Sequence, residues 1–299
     1  MLRKVVCMLA FAVACDSSHA LDEDDGDAGE RGAGGADAGA GGSEDADGGA
    51  GISGSDSGAA GLDKFSFFVT SLAALRELSK SQSGFGGDLR FGETGEGAGL
   101  RGADKICATI AETSMPGSSA KQWRAFLSTS TVNAKDRIGQ GPWYDRKGRV
   151  LAQDLTGLFK LRPEGDAQIV NDFPNELGVN NHDPDGTGNV DNHDMLTGSN
   201  DQGTLYCPTN AANCTCDDWT SAQPSGKPRV GHSWPRGTGG GGTRPGGGGG
   251  NINSWVSSLD EAGCAPGVSL IEMGGPIASN PTVGSGGGYG GFYCFALTP

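Results

Sequence analysis

The sequence predicts an α+β domain with a mainly antiparallel sheet, few helices and long loops. Two observations carry this: short apolar runs bounded by glycine-rich turns, and only one convincing stretch of helical spacing. A third, six cysteines within the last 200 residues, makes it a disulfide-stapled domain if the chain is exported.

The strands and the helix follow in order. Phe65 to Val69 (FSFFV) has the aromatic and β-branched character of a strand. Gly84, Gly86, Gly87 and the run Gly92 to Gly99 read as loop. Ala103 to Glu112 places Ile106, Cys107 and Ile110 at helical spacing, in a helix that ends before Pro116. Gln122 to Ser128 alternates, with Trp123, Ala125 and Leu127 on one face of a strand. Residues 171–213 are loop-rich. Val268 to Met273 and Gly291 to Leu297 read as two late core strands joined through a pliant Gly284 to Gly291 loop.

Ahead of this domain (residues 63–299) lie two segments of other kinds. Arg3 and Lys4 precede the apolar run Val5 to Ala14. Ten residues cannot span a bilayer core, which needs about 20, but they suit a signal peptide over residues 1–15. Ala12-Val13-Ala14-Cys15 resembles a bacterial lipobox, which implies a lipid on Cys15 and attachment to a membrane facing the periplasm or cell surface. Ala12 departs from the more usual Leu, and cleavage near Ala14 or Ala20 would instead release a soluble protein. Residues 16–62 carry 12 acidic residues, one basic residue and few large apolar side chains. They cannot bury enough surface to offset their ordering entropy and read as a disordered, self-repelling linker. Its root-mean-square reach is roughly 35–40 Å.

The charge is unevenly spread. Of the net −14, the linker holds −11 and the leader +2, which leaves −5 for the domain. A mildly acidic surface has no electrostatic footprint for nucleic acid.

The order GLRGADKIC (99–107), WRAFLS (123–128), LTGSNDQG (196–203), CDDWTS (216–221) and Tyr293-Cys294-Phe295 resembles the endostatin domain of collagen XVIII, and bacterial lipoproteins that carry such domains. The resemblance runs from about Phe65 to Leu297 and implies a C-type-lectin-like fold. It also implies disulfides Cys107–Cys294 and Cys216–Cys264, leaving Cys207 and Cys214 to pair. Cys207 with Cys216 and Cys214 with Cys264 is the alternative, and spacing alone does not choose among 15 pairings. The resemblance points to a binding or adhesion module for a protein or glycan. The family's amino-terminal zinc histidines have no counterpart in residues 65–75, and its basic heparin surface has none on an acidic domain. The Glu-Pro-Asn or Gln-Pro-Asp triplet of sugar-binding C-type lectins is missing too. A zinc site of Cys207, Cys214 and Cys216 would compete with oxidation.

One local pattern suggests a cofactor. Asp183, Asp185, Thr187, Asn189, Asp191 and Asp194 occupy positions 1, 3, 5, 7, 9 and 12 of a calcium-type loop, with Gly188 at 6. Asp194 is shorter than the usual bidentate Glu and neither flank reads as a helix, so turn chemistry alone gives a similar string. A His182/His193 transition-metal site is the weaker variant. No catalytic residue is predicted: the domain has three histidines, no G-x-S-x-G elbow, and in Gly231-His232-Ser233-Trp234 neighbouring His and Ser do not make a triad. His232 reads as an ordinary hydrogen-bonded or exposed histidine, and Trp219 as core. A hydrolase of envelope or matrix polymers, with acids from 183–194 or 217–218, is the alternative function, and a structural envelope protein is a third. Gly237 to Gly250, with ten glycines, lacks the ending of a phosphate loop.

Cys15→Ser should abolish incorporation of labelled palmitate and move the chain from the membrane to the soluble fraction. A variant that stays in the membrane fraction would exclude a lipid on this residue.

Overall fold

Strand β8 (Gly288–Ala296) runs through the middle of the main sheet, with all nine residues buried. The computed structural model describes residues 63–183, 192–235, 251–270 and 278–299; the leader, the linker and the Gly237–Gly250 stretch lie outside the described residues. Near its end β8 pairs antiparallel with β1 (Phe67–Val69) on one edge and β2 (Trp123–Ala125) on the other. Nearer its start it pairs in parallel with β5 (Asp194–Leu196). The sheet then continues antiparallel through β6 (Arg229–His232) to β7 (Leu259–Asp260). A separate hairpin joins β3 (Trp143–Tyr144) to β4 (Val150–Ala152). The architecture is α+β, and the sheet is mixed rather than purely antiparallel because β5 lies along β8 in the same direction.

Helix α2 (Ala98–Ser114) packs on β2 and β8 through Leu100, Ala103, Ile106, Cys107, Ile110 and Ala111. It is longer than its apolar spacing predicts, starting five residues earlier, because two glycines of its first turns allow close backbone approach. A Cβ on Gly102 would lie 2.1 Å from the carbonyl oxygens of Leu89 and Arg90. A Cβ on Gly99 would lie 2.1 Å from that of Asp218. The segment against Gly99 is itself unusual: Cys216, Asp217, Asp218 and Trp219 all have positive φ, between 49° and 64°. Left-handed backbone is costly for such residues. It is held here by the Cys216–Cys264 disulfide, the Trp219 Nε1–H bond to Ser128 O (2.8 Å) and Asp218 accepting from Ser130 N–H (2.8 Å).

Asp104 explains the pairing of the helix motif with the following strand motif. Its carboxylate accepts the N–H of Ala125 in β2 (2.9 Å) and both bonds of a two-pronged contact from Arg137 (2.7 and 2.8 Å). Cys107, one turn on, is bonded to Cys294 in β8. Cys207–Cys214 closes a small loop ending in a short helix (Ala211–Cys214). Cys107–Cys294 and Cys216–Cys264 are the pairs that the resemblance implies, and Cys207–Cys214 joins the two cysteines that it leaves over. Among the described residues no helix is long and apolar enough to cross a membrane, and three disulfides in one domain belong to an oxidising, extracytoplasmic compartment.

Several expected elements differ. Helix α1 (Leu72–Ser79), capped by Ser71 accepting from Ala74 N–H, was hidden in a short stretch whose apolar face buries only Leu75 fully. The strand expected over 122–128 ends at Ala125: Phe126 N–H still reaches Tyr293 O, but Ser128 N–H turns to Thr197 O. Val268 to Leu270 is not a core strand; only Ser269 bridges to Gly288, and residues 271–273 lie outside the described residues. The place beside the start of β8 is occupied by β5 instead. Gly288 to Gly290, expected as loop, are strand, because bare backbone there admits close neighbours: a Cβ on Gly290 would meet Val283 Cγ2 at 2.6 Å.

Gly102→Ala should destabilise the fold by on the order of 2 kcal/mol, because helix and loop must separate to admit the methyl group. Urea denaturation measures this, and an unchanged midpoint would show that α2 is not held against Leu89 and Arg90.

Candidate metal centre

Among the described residues, one group of histidines and carboxylates close enough to share a metal ion lies at the β5–β6–β7 side of the sheet. Asp194, the first residue of β5, lies directly across from His232, the last of β6. His193 precedes Asp194, and Glu261 follows β7. These four side chains are 0–1 % exposed.

The backbone gives each its position. The N–H groups of His193 and Asp194 both donate to Gly287 O (3.0 and 3.2 Å). The end of β6 is clamped by Arg162, which donates to His232 O (2.6 Å) and Ser233 O (2.8 Å). Gly231 lets the 254–258 segment cross β6, since a Cβ there would be 1.9 Å from Trp255 O. The turn into β8 supplies Ser285 Oγ–H (2.5 Å) and Gly286 N–H (2.8 Å) to Glu261 Oε2. The other oxygen, Oε1, receives no N–H or hydroxyl and lies on the Asp194 side, where the two carboxyl groups interact directly.

Asp194 Oδ1 is 3.0 Å from His232 Nε2 and 3.5 Å from His193 Nε2, and the two imidazoles stand perpendicular with centroids 4.4 Å apart. His232 Nδ1 is 2.5 Å from Ile252 O. A carbonyl oxygen only accepts, so the proton of a neutral His232 sits on Nδ1 and its Nε2 lone pair faces the carboxylate. Burial, then the neighbouring His193, holds the His232 imidazole below its usual range, with Asp194 opposing. Burial also drives the Glu261 carboxyl well above the usual carboxylate range, and the Asp194 charge adds to this. Asp194 feels the same burial, but His193 and then His232 outweigh it, so its carboxyl is held low. Of the pair, Asp194 is the stronger acid and Glu261 the one that keeps its proton to higher pH.

Chemically the set offers imidazole nitrogen and carboxylate oxygen converging on one point. Ligand atoms of His193, Asp194 and His232 all lie within 4.8 Å of one another, and a Cβ on Gly286 would come within 2.5 Å of Asp194 Oδ2 and 3.4 Å of Glu261 Oε1.

The positions of the calcium-type string part company. Asp194 is a strand residue buried against histidines rather than a loop ligand, because pairing with β6 turns its carboxylate into the sheet. Asp183 is half-buried, while Asp185, Thr187, Asn189 and Asp191 lie outside the described residues. The His182/His193 pairing does not form: His182 stacks on Trp234 (4.7 Å, 10°) and bonds Asp172 (2.5 Å), whereas His193 faces Asp194 and His232. Cys207, Cys214 and Cys216 are all in disulfides, which leaves no thiolate set for zinc. Trp219 is fully buried core. Sequence reasoning missed His232 and Glu261 as partners of Asp194. The signal available was a run of polar residues, His193-Asp194 and His232, at the ends of segments that pair as buried strands.

No family model matches the chain, and no curated protein matches it.

In chelator-treated protein at neutral pH, Glu261→Gln should shift stability by less than about 1 kcal/mol, because it replaces a protonated carboxyl. Asp194→Asn should cost about 3–5 kcal/mol, because it strips the buried imidazoles of their counter-charge. Urea midpoints decide; equal losses would mean that Glu261 is ionised in the folded protein.

Proposed function

We propose that the chain is an exported lipoprotein, carried on a membrane through Cys15 and an acidic spacer, whose endostatin-like, C-type-lectin-like domain binds a protein or glycan ligand. The observation that supports binding over catalysis is the burial of its acid–base residues. Asp194 and Glu261 form the carboxylate pair that a hydrolase would need, yet both are 0 % exposed. A general acid must reach within hydrogen-bond distance of the substrate, and no polymer reaches these two. Among the other acids once considered, Asp218 is spent on Ser130 and Thr215, and Asp217 stands exposed on the left-handed turn.

The endostatin-like reading is supported by the chemistry of its motifs. Asp104 couples the G-A-D helix to the R-A-F strand, and Cys107 ties that helix to the last strand. Calcium held by the 183–194 string is a further expectation for ligand capture, in the manner of loop carboxylates, with Asp194 set aside.

The test is an array of envelope and matrix glycans and proteins probed with the purified chain, with and without calcium, followed by incubation of any bound polymer. Saturable binding without shortening of the polymer supports the reading. Polymer cleavage that Glu261→Gln abolishes would replace it with a hydrolase.

A further inference from the structure

We propose that His193, Asp194, His232 and Glu261 form a closed, four-ligand structural site for a divalent transition-metal ion of the zinc class. The inference does not depend on what the domain binds.

The geometry of one histidine carries it furthest. A ligating imidazole characteristically gives its second N–H to a carbonyl or carboxylate, which fixes the tautomer and aims the other nitrogen at the metal. His232 has this arrangement, with Ile252 O at Nδ1 and Nε2 aimed at Asp194. Glu261 is held in the same way: Ser285 and Gly286 satisfy Oε2 and leave Oε1 towards Asp194. The His232 Nε2 lone pair, the Asp194 carboxylate and Glu261 Oε1, all fully buried, face one another. Two carboxylates and two imidazoles directed at one another are the donor set of a cation. A divalent cation neutralises both carboxylates.

The donor set selects the ion. Calcium takes six to eight oxygen ligands, whereas two imidazoles with two carboxylates suit zinc and its neighbours. His193, Asp194 and His232 already have ligand atoms within 4.8 Å of one another, and with Glu261 Oε1 drawn in from beside Asp194 as the fourth ligand no open position is left, which makes the site structural rather than catalytic. The ion would pin β5, β6, the end of β7 and the turn into β8, four segments spread over residues 193–286.

The experiment uses the full chain, refolded from denaturant with its disulfides intact, first without metal and then with Co²⁺ or Zn²⁺. The expected result is one equivalent of Co²⁺ with the intense visible absorption of four-coordinate cobalt, displaced by one equivalent of Zn²⁺, and a melting temperature raised by either ion. Glu261→Gln and Asp194→Asn should each weaken Co²⁺ binding at least tenfold. If Asp194→Asn fails to fold, Glu261→Gln carries the test, because the amide keeps the shape of the protonated acid. The proposal is overturned if wild-type protein that melts cooperatively takes up no metal. It is equally overturned if its cobalt spectrum is the weak one of six-coordinate ions, or if both variants bind undiminished, which would move the ion to another site such as His182 and Asp172.

Discussion

The rest of the domain depends on β8 being buried along its whole length. A strand with no exposed residue must have its backbone groups paired on both edges and its faces covered on both sides. Here β1 and β2 flank its second half, β5 flanks its first half, α2 covers one face through the Cys107–Cys294 bond, and an aromatic cluster of Phe67, Phe126, Phe173, Trp255, Tyr293 and Phe295 meets around it. That requirement explains the glycines in the strand. Gly288, Gly290 and Gly291 stand where β5 and Val283 press closest, and side chains there would push the sheet apart.

The same demand for close approach sets the cost structure of the acid–base centre. Burying two carboxyl groups and two imidazoles is expensive unless each charge finds a partner. The domain meets that cost with short-range devices: carbonyl acceptors for Nδ1, hydroxyl and N–H donors for Oε2, and opposition of Asp194 to two histidines. All of these lie on segments that β8 organises, since the Ser285–Gly286 turn leads directly into it and Gly287 O accepts the N–H groups of His193 and Asp194. Sheet and polar centre are therefore one cooperative unit, and disturbing either should loosen the other.

The left-handed turn at Cys216–Trp219 shows how strain is accommodated. Four consecutive residues with positive φ would unfold in isolation. A disulfide, a buried indole hydrogen bond and the bare backbone of Gly99 hold them, so that an unfavourable local conformation becomes the surface on which α2 begins.

Much of the framework was legible in the residues. Helical spacing of Ile106, Cys107 and Ile110, the aromatic runs at 65–69 and 292–295, and the even number of domain cysteines determined helix, strands and staples, because these depend on local periodicity and composition. Two things were not legible. The parallel alignment of β5 with β8 joins residues almost a hundred positions apart through a three-residue strand too short to show a period. The gathering of His193, Asp194, His232 and Glu261 depends on strand register, and shifting β5 by one residue would turn Asp194 to the other face of the sheet. Read along the chain, Asp194 belonged to an acidic loop. Only pairing with β6 gave it two histidines, because a carboxylate's partners are set by distance through space and not by neighbours in sequence.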